Sequence, residues 1–133
     1  MAIRGVDLVV DSFAWVEYFR GSPTGKEVDR LLSLHPSATP TIVLAELSDK
    51  YAREGISGFA RDMDEVDSRT MILPLDRAIA EESGRVKAEA RKRIPDFPLA
   101  DGIVYASAKA LGADVLTGDP HFRGWKGVVF LGG

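Results

Sequence analysis

The sequence predicts an α/β protein: one domain over residues 1–133, with a mostly parallel sheet of about five strands and helices on both faces. Three observations carry that prediction. Short apolar runs alternate along the chain with segments whose apolar residues fall at helical spacing. No repeat, low-complexity stretch or long linker interrupts the alternation. The length of 133 residues suits a single core.

Val6–Asp11 is the first strand, buried and ending on an acid. Ser12 is placed to cap the next helix, in which Trp15, Val16 and Phe19 share a stripe. Gly21-Ser22-Pro23 breaks it. Thr24 and Glu27 form a capping box for a second helix that turns Val28, Leu31 and Leu32 inward. Ser37–Thr39 is a very short strand. Pro40-Thr41 opens a helix with Leu44, Leu47, Ser48 and Tyr51 on one face, and Gly55 ends it. Phe59, Met63 and Val66 mark a further helix. Met71–Leu75 is a strand whose Pro74 suits a sheet edge. Ile79, Ser83, Val86 and Ala90 trace a helical stripe between Asp76 and Arg93. Pro95 and Pro98 bracket a loop. Val104, Tyr105, Ala108 and Leu111 repeat the helical period, and Asp114–Thr117 and Gly127–Leu131 are the last two strands.

Composition narrows the function. The hydrophobic fraction is 45%, ordinary for a globular protein, and no run approaches the roughly 18 apolar residues of a membrane span. The first residues carry no export-signal core, since Asp7 interrupts the apolar run. Cysteine is absent, which excludes disulfides and thiolate metal sites. These features point to the cytoplasm. The net charge of -3 is not that of a protein holding nucleic acid by bulk charge, so any such contact needs local patches or metal ions. Asn and Gln are also absent and 28% of residues are charged, a composition expected of a thermophile's protein. Melting near 50 °C would count against that expectation.

Sites in open parallel sheets collect at the carboxyl ends of strands, and two acids stand there. Asp11 follows the first strand and Asp119 lies two residues after Thr117. Each has a plain alternative: Asp11 as a helix cap, Asp119 as part of a Gly-Asp-Pro turn. Glu46 sits on the flank of an apolar helix, where a carboxylate is costly unless paired; Lys50 at i+4 is the ordinary partner. Asp101 heads the apolar stripe Val104, Tyr105 and Ala108, near a Pro98 that marks the helix start. If the four converge, their repulsion in a partly buried pocket is severe, and hard divalent cations relieve it. Two such ions can activate water and stabilise a leaving oxygen in phosphodiester hydrolysis. His35 and His121, the only histidines, lack zinc-ligand spacing.

Four segments in this order resemble the PIN-domain family, in particular the VapC toxin ribonucleases. Val9–Phe13 resembles the family's first-strand acid followed by Ser or Thr. Leu44–Leu47 resembles the helix of its second acid. Leu99–Ala108 resembles the third-acid helix with its small-residue face, and Val115–Phe122 the last strand and acid. The resemblance spans nearly the whole chain. It implies an endoribonuclease that uses Mg²⁺ or Mn²⁺ held by Asp11, Glu46, Asp101 and Asp119, with Ser12 and Thr117 hydrogen-bonding the carboxylates or the attacking water. It further implies cutting to a 5′-phosphate and a 3′-hydroxyl, a homodimer, and a small antitoxin that lays a helix along a groove beside the site. Many relatives carry a further acid near the fourth, where this chain has His121; Asp96, in a Pro-flanked turn, is a possible substitute. RNA needs cations, and the densest run is Arg85, Lys87, Arg91, Lys92 and Arg93, which is equally ordinary as a decorated helix end. Tyr18 lies off the stripe of Trp15 and Phe19 and is the better candidate for a dimer or antitoxin surface.

Other classes fit less well. A haloacid-dehalogenase-type phosphatase needs a second Asp two residues after the first, where this chain has Phe13. A receiver domain expects a lone acid after a middle strand and a late Lys, and Lys126 is poorly placed for it. A PIN fold that only binds RNA or protein, or a housekeeping RNA-processing nuclease, stays open as an alternative to the toxin.

Overall fold

The structure is a computed structural model that describes residues 5–132. Met1–Arg4, where the search for an export signal begins, lies outside the described residues. Among those described, no helix is long and apolar enough to cross a membrane.

The elements run in chain order as β1 (Leu8–Val10), α1 (Ser12–Arg20), α2 (Pro23–Leu34), β2 (Ser37–Pro40), α3 (Thr41–Glu54), α4 (Phe59–Arg69), β3 (Met71–Leu73), α5 (Arg77–Ala90), α6 (Leu99–Leu111), β4 (Asp114–Thr117) and β5 (Val128–Phe130), with a 3₁₀ turn at Pro120–Phe122 before β5. The five strands form one sheet in the order β3-β2-β1-β4-β5, and all four pairings are parallel. Every residue of β1 and β2 is buried, as required of central strands covered on both faces. The main cluster packs α1 to α4 and α6 on β1 and β4 around Trp15, Val28, Leu47, Val66, Val104 and Leu116. A smaller cluster seats Ile79 of α5 and Ile103 of α6 against Ala38 and Leu73. Met71–Leu73 is an edge strand, and Pro74 lies just past its end, where no ladder bond is lost.

Several local expectations are corrected. Asp11, not Ser12, caps α1: its carboxylate accepts from the Ser12 amide at 2.8 Å. Ser22 caps α2 in place of the Thr24–Glu27 box, accepting from the Gly25 amide at 3.0 Å with Pro23 in the first turn. The buried face of α3 is Val43, Leu47 and Tyr51, and Ser48 is exposed. Tyr18, the candidate for a dimer or antitoxin surface, is half-buried and held in place. Its hydroxyl bonds Glu65 and receives Arg69 at 2.9 Å, and its ring packs edge-on against Trp15 and Phe19. Trp15 itself is fully buried and donates to Thr39 Oγ1 at 3.1 Å, so its one polar group is satisfied inside the core.

The strand order leaves β1 towards β2 on one side and returns to β4 on the other. The crevice beyond the carboxyl ends of β1 and β4 is therefore the topological switch point, where open α/β sheets place their ligands.

Candidate metal centre

Asp11 leaves β1 and Asp119 leaves β4, so parallel pairing of these strands sets the two acids side by side. One hydroxyl links them. Thr117 Oγ1 donates to Asp11 Oδ2 at 2.7 Å and accepts the Asp119 amide at 3.0 Å. Thr117 is fully buried, so this link works without competition from water. At Gly118, between them, a Cβ would meet the ring of the exposed Phe13, which would have to swing aside. Asp119 then caps the 3₁₀ turn, taking the His121 amide at 2.9 Å.

Glu46 enters from α3 and Asp101 from the first turn of α6. The expected Glu46–Lys50 pair does not form; Lys50 reaches Glu54 at 2.8 Å instead. Glu46 Oε1 and Asp101 Oδ2 are buried and have no hydrogen-bond partner among the described residues. A carboxylate oxygen in that state is costly, which marks both atoms as made for something besides the resting fold.

The four acids feel one another's charge, and of the four only Asp101 and Asp119 fall within one group of ligand atoms 4.8 Å across. Burial pushes Asp11 from its ordinary 3.8 to about 6; the bonds from Thr117 and the Ser12 amide counter it, and Asp119 adds to it. Glu46 rises to about 7, first by burial and then by the charge of Asp11, with Asp119 adding more and the Ser12 hydroxyl offsetting part. Asp101 is held well above the carboxylate range by burial and then by Asp11, Asp119 and Glu46. A divalent cation would reverse all three shifts.

The residue that spacing did not single out as a ligand is His121. Its Nδ1 lies 3.0 Å from Asp119 Oδ1 and 3.2 Å from Asp101 Oδ2, and its Nε2 lies 3.3 Å from Asp96. Asp101, Asp119 and His121 thus offer three ligand atoms all within 4.8 Å of one another. The Pro-containing turn after Asp119 was the available signal: it folds the next side chains back towards the carboxylate.

The basic run divides. Arg91 donates to the Phe97 carbonyl at 2.8 Å and braces the loop before α6; Lys92 pairs with Glu89 at 2.9 Å; Lys87 packs beside Gly102. Arg85 and Arg93 line a groove of about 710 Å³ between α5 and the segment before β5, joined by Lys109, Arg123 and Lys126 and by the rings of Tyr105 and Trp125. Arg85 and Lys109 share Glu82, whereas Arg93, Arg123 and Lys126 have no ion pair among the described residues.

The open parallel sheet with acidic residues gathered at its switch point defines the class, an α/β protein with an acidic crevice beyond the carboxyl ends of β1 and β4. The chain belongs to the PIN-domain family, whose model matches residues 8–126. No curated protein matches it. Among solved structures it is similar to a toxin-antitoxin complex from Klebsiella pneumoniae, at 22% identity and a TM-score of 0.73, covering 92% of this chain and 96% of that one. It is similar to DNA-bound VapBC from Salmonella typhimurium, at 20% identity and TM-score 0.69, covering 94% and 96%. It also resembles VapC20 of Mycobacterium tuberculosis, a sarcin-ricin loop cleaving toxin, at 17% identity and TM-score 0.62, covering 85% and 92%. These likenesses are of fold.

Proposed function

We propose that this protein is a divalent-metal-dependent endoribonuclease and the toxin of a VapBC-type pair. The observation that carries the reading is the pair of buried, unpartnered carboxylate oxygens, on Glu46 and Asp101, beside the Thr117-linked acids Asp11 and Asp119. Such a donor set suits a hard cation, Mg²⁺ or Mn²⁺, and fits poorly with any neutral ligand. Asp11, Asp101 and Asp119 would hold the ion directly or through water, and Glu46 would complete the set. When bound, the ion lowers the pKa of attacking water and neutralises charge on the phosphate.

The chain's own residues do the remaining work. Thr117 holds Asp11 and Asp119 at one spacing, and Ser12 steadies Asp11 and Glu46. Glu46 Oε1 is free to take the proton of the attacking water, which enters in line and leaves a 5′-phosphate and a 3′-hydroxyl. Arg85 and Arg93, with the unpaired Arg123 and Lys126, would guide the RNA strand along their groove. The similar folds include toxin-antitoxin complexes, which supports a small antitoxin as partner; a homodimeric toxin acting on RNA in the cytoplasm is part of the same proposal.

The test is cleavage of a long mixed RNA with Mn²⁺ or Mg²⁺, with EDTA and Asp101→Asn as controls. Cutting that needs both the ion and Asp101 is expected. Cutting that survives both controls would overturn the reading. Loss of cutting on adding the product of a small adjacent open reading frame would separate the toxin from a housekeeping nuclease.

A further inference from the structure

His121 and Asp96 are not absorbed by the four-carboxylate reading, and their geometry is specific. Donors sharing an edge of an octahedron at roughly 2.1 Å from an ion lie about 3.0 Å apart. His121 Nδ1 stands 3.0 Å from Asp119 Oδ1 and 3.2 Å from Asp101 Oδ2, which matches two such edges. An ordinary histidine–carboxylate pair would use the same distances for an aligned hydrogen bond. Neither Nδ1 nor Asp101 Oδ2 makes one, although the Asp101 side chain is only 5% exposed. Two buried polar atoms 3.2 Å apart that do not bond each other both leave a donor position open to a third body alongside them.

The other ring nitrogen supplies the second observation. Metal-ligating histidines generally donate their remaining N–H to a carboxylate, which fixes the tautomer and strengthens the ligand. His121 Nε2 faces Asp96 Oδ2 at 3.3 Å, and the Phe97 ring stands edge-on to the imidazole at 6.0 Å. The ring is therefore oriented from two sides with Nδ1 aimed at the acids.

We propose that His121 is a ligand of the metal centre through Nδ1, completing a three-donor face with Asp101 and Asp119, that Asp96 positions its ring, and that this nitrogen makes the site select Mn²⁺ over Mg²⁺. The inference rests on the metal-dependent reading above. Magnesium takes oxygen donors almost exclusively, whereas imidazole suits first-row transition ions, so one nitrogen in an otherwise oxygen site shifts selectivity without altering the rest of the cluster. It also gives a function to the position where relatives carry a further acid.

The experiment is pulsed electron paramagnetic resonance of the Mn²⁺-loaded full chain, with Mn²⁺ and Mg²⁺ affinities measured by competition titration. The wild type should show a directly bound ¹⁴N, and His121→Ala should lose it. The Mn²⁺-to-Mg²⁺ affinity ratio should fall at least tenfold in that variant. Asp96→Asn, an exposed position that leaves the fold intact, should keep the ¹⁴N signal and lose about tenfold in Mn²⁺ affinity. His35 cannot supply the signal, because it pairs with Asp7 at the opposite end of the sheet. Mn²⁺ bound to wild type without ¹⁴N coupling would overturn the His121 assignment and leave the nuclease reading standing. Failure of wild type to bind Mn²⁺ at all would overturn both.

Discussion

Replacing Asp11 with Asn should stabilise the metal-free protein at pH 8 while abolishing the proposed RNA cleavage. Asp11 is fully buried, and its pKa rises from 3.8 to about 6. An acid whose folded pKa is raised holds its proton in the native state after the unfolded chain has lost it. Stability therefore falls as pH rises from about 4 through about 6, and the full penalty is present above that. Two pH units correspond to roughly 3 kcal/mol. The amide carries no such penalty, but it keeps the bonds from the Ser12 amide and Thr117 less well, at a cost of about 1 kcal/mol. The net gain is about 1–2 kcal/mol at pH 8. For a chain of this length that raises the melting temperature by about 4–7 °C. Relief of Glu46 and Asp101, both of which feel the Asp11 charge, acts in the same direction. Near pH 4 the wild-type carboxyl is protonated and the gain should vanish. Thermal melts of both proteins in EDTA across pH 4–8 provide the assay. Added Mn²⁺ should then stabilise the wild type and leave the variant unmoved. An Asp11→Asn protein that is less stable than wild type by the same amount at both ends of the range would refute the electrostatic argument.

Three other outcomes can be checked directly. Thr117→Val removes the bond to Asp11 and the acceptor of the Asp119 amide, so metal affinity by titration should drop about 10–100-fold with little change in fold. Gly25→Ala puts a Cβ into the Glu17 carbonyl, where backbone cannot yield; denaturant melts should show a loss of about 1–3 kcal/mol or more, because α1 and α2 must separate. Arg93→Glu with Arg123→Glu should weaken RNA binding and flatten its salt dependence, whereas Arg91→Glu should act chiefly on stability, through the lost bond to the Phe97 carbonyl; filter binding at several salt concentrations separates the two.

The alternation of apolar runs and helical stripes was enough to specify a parallel α/β sheet, because burial on both faces writes itself into local periodicity. The acids after β1 and β4 were legible for a related reason: a charge at the end of a buried strand is conspicuous, and parallel pairing brings strand ends together. Gly21, Gly55 and Asp76 marked helix ends because the left-handed residue and the cap are local requirements. Partner choice was not legible. Thr117 meets Asp11 across 106 positions, Arg69 meets Tyr18 across 51, and Lys50 turns from Glu46 to Glu54 within one helix. Each choice depends on which side chains the packed elements leave within reach, and nothing in a local window records that. The same holds for His121. Its sequence neighbours indicate only a turn, and it becomes a candidate ligand because the 3₁₀ turn after β4 and the start of α6 converge with their donors facing one point. The sequence alone determined which residues could carry charge into the site; the tertiary structure decided which of them share it, since only packing sets the distances over which charges act.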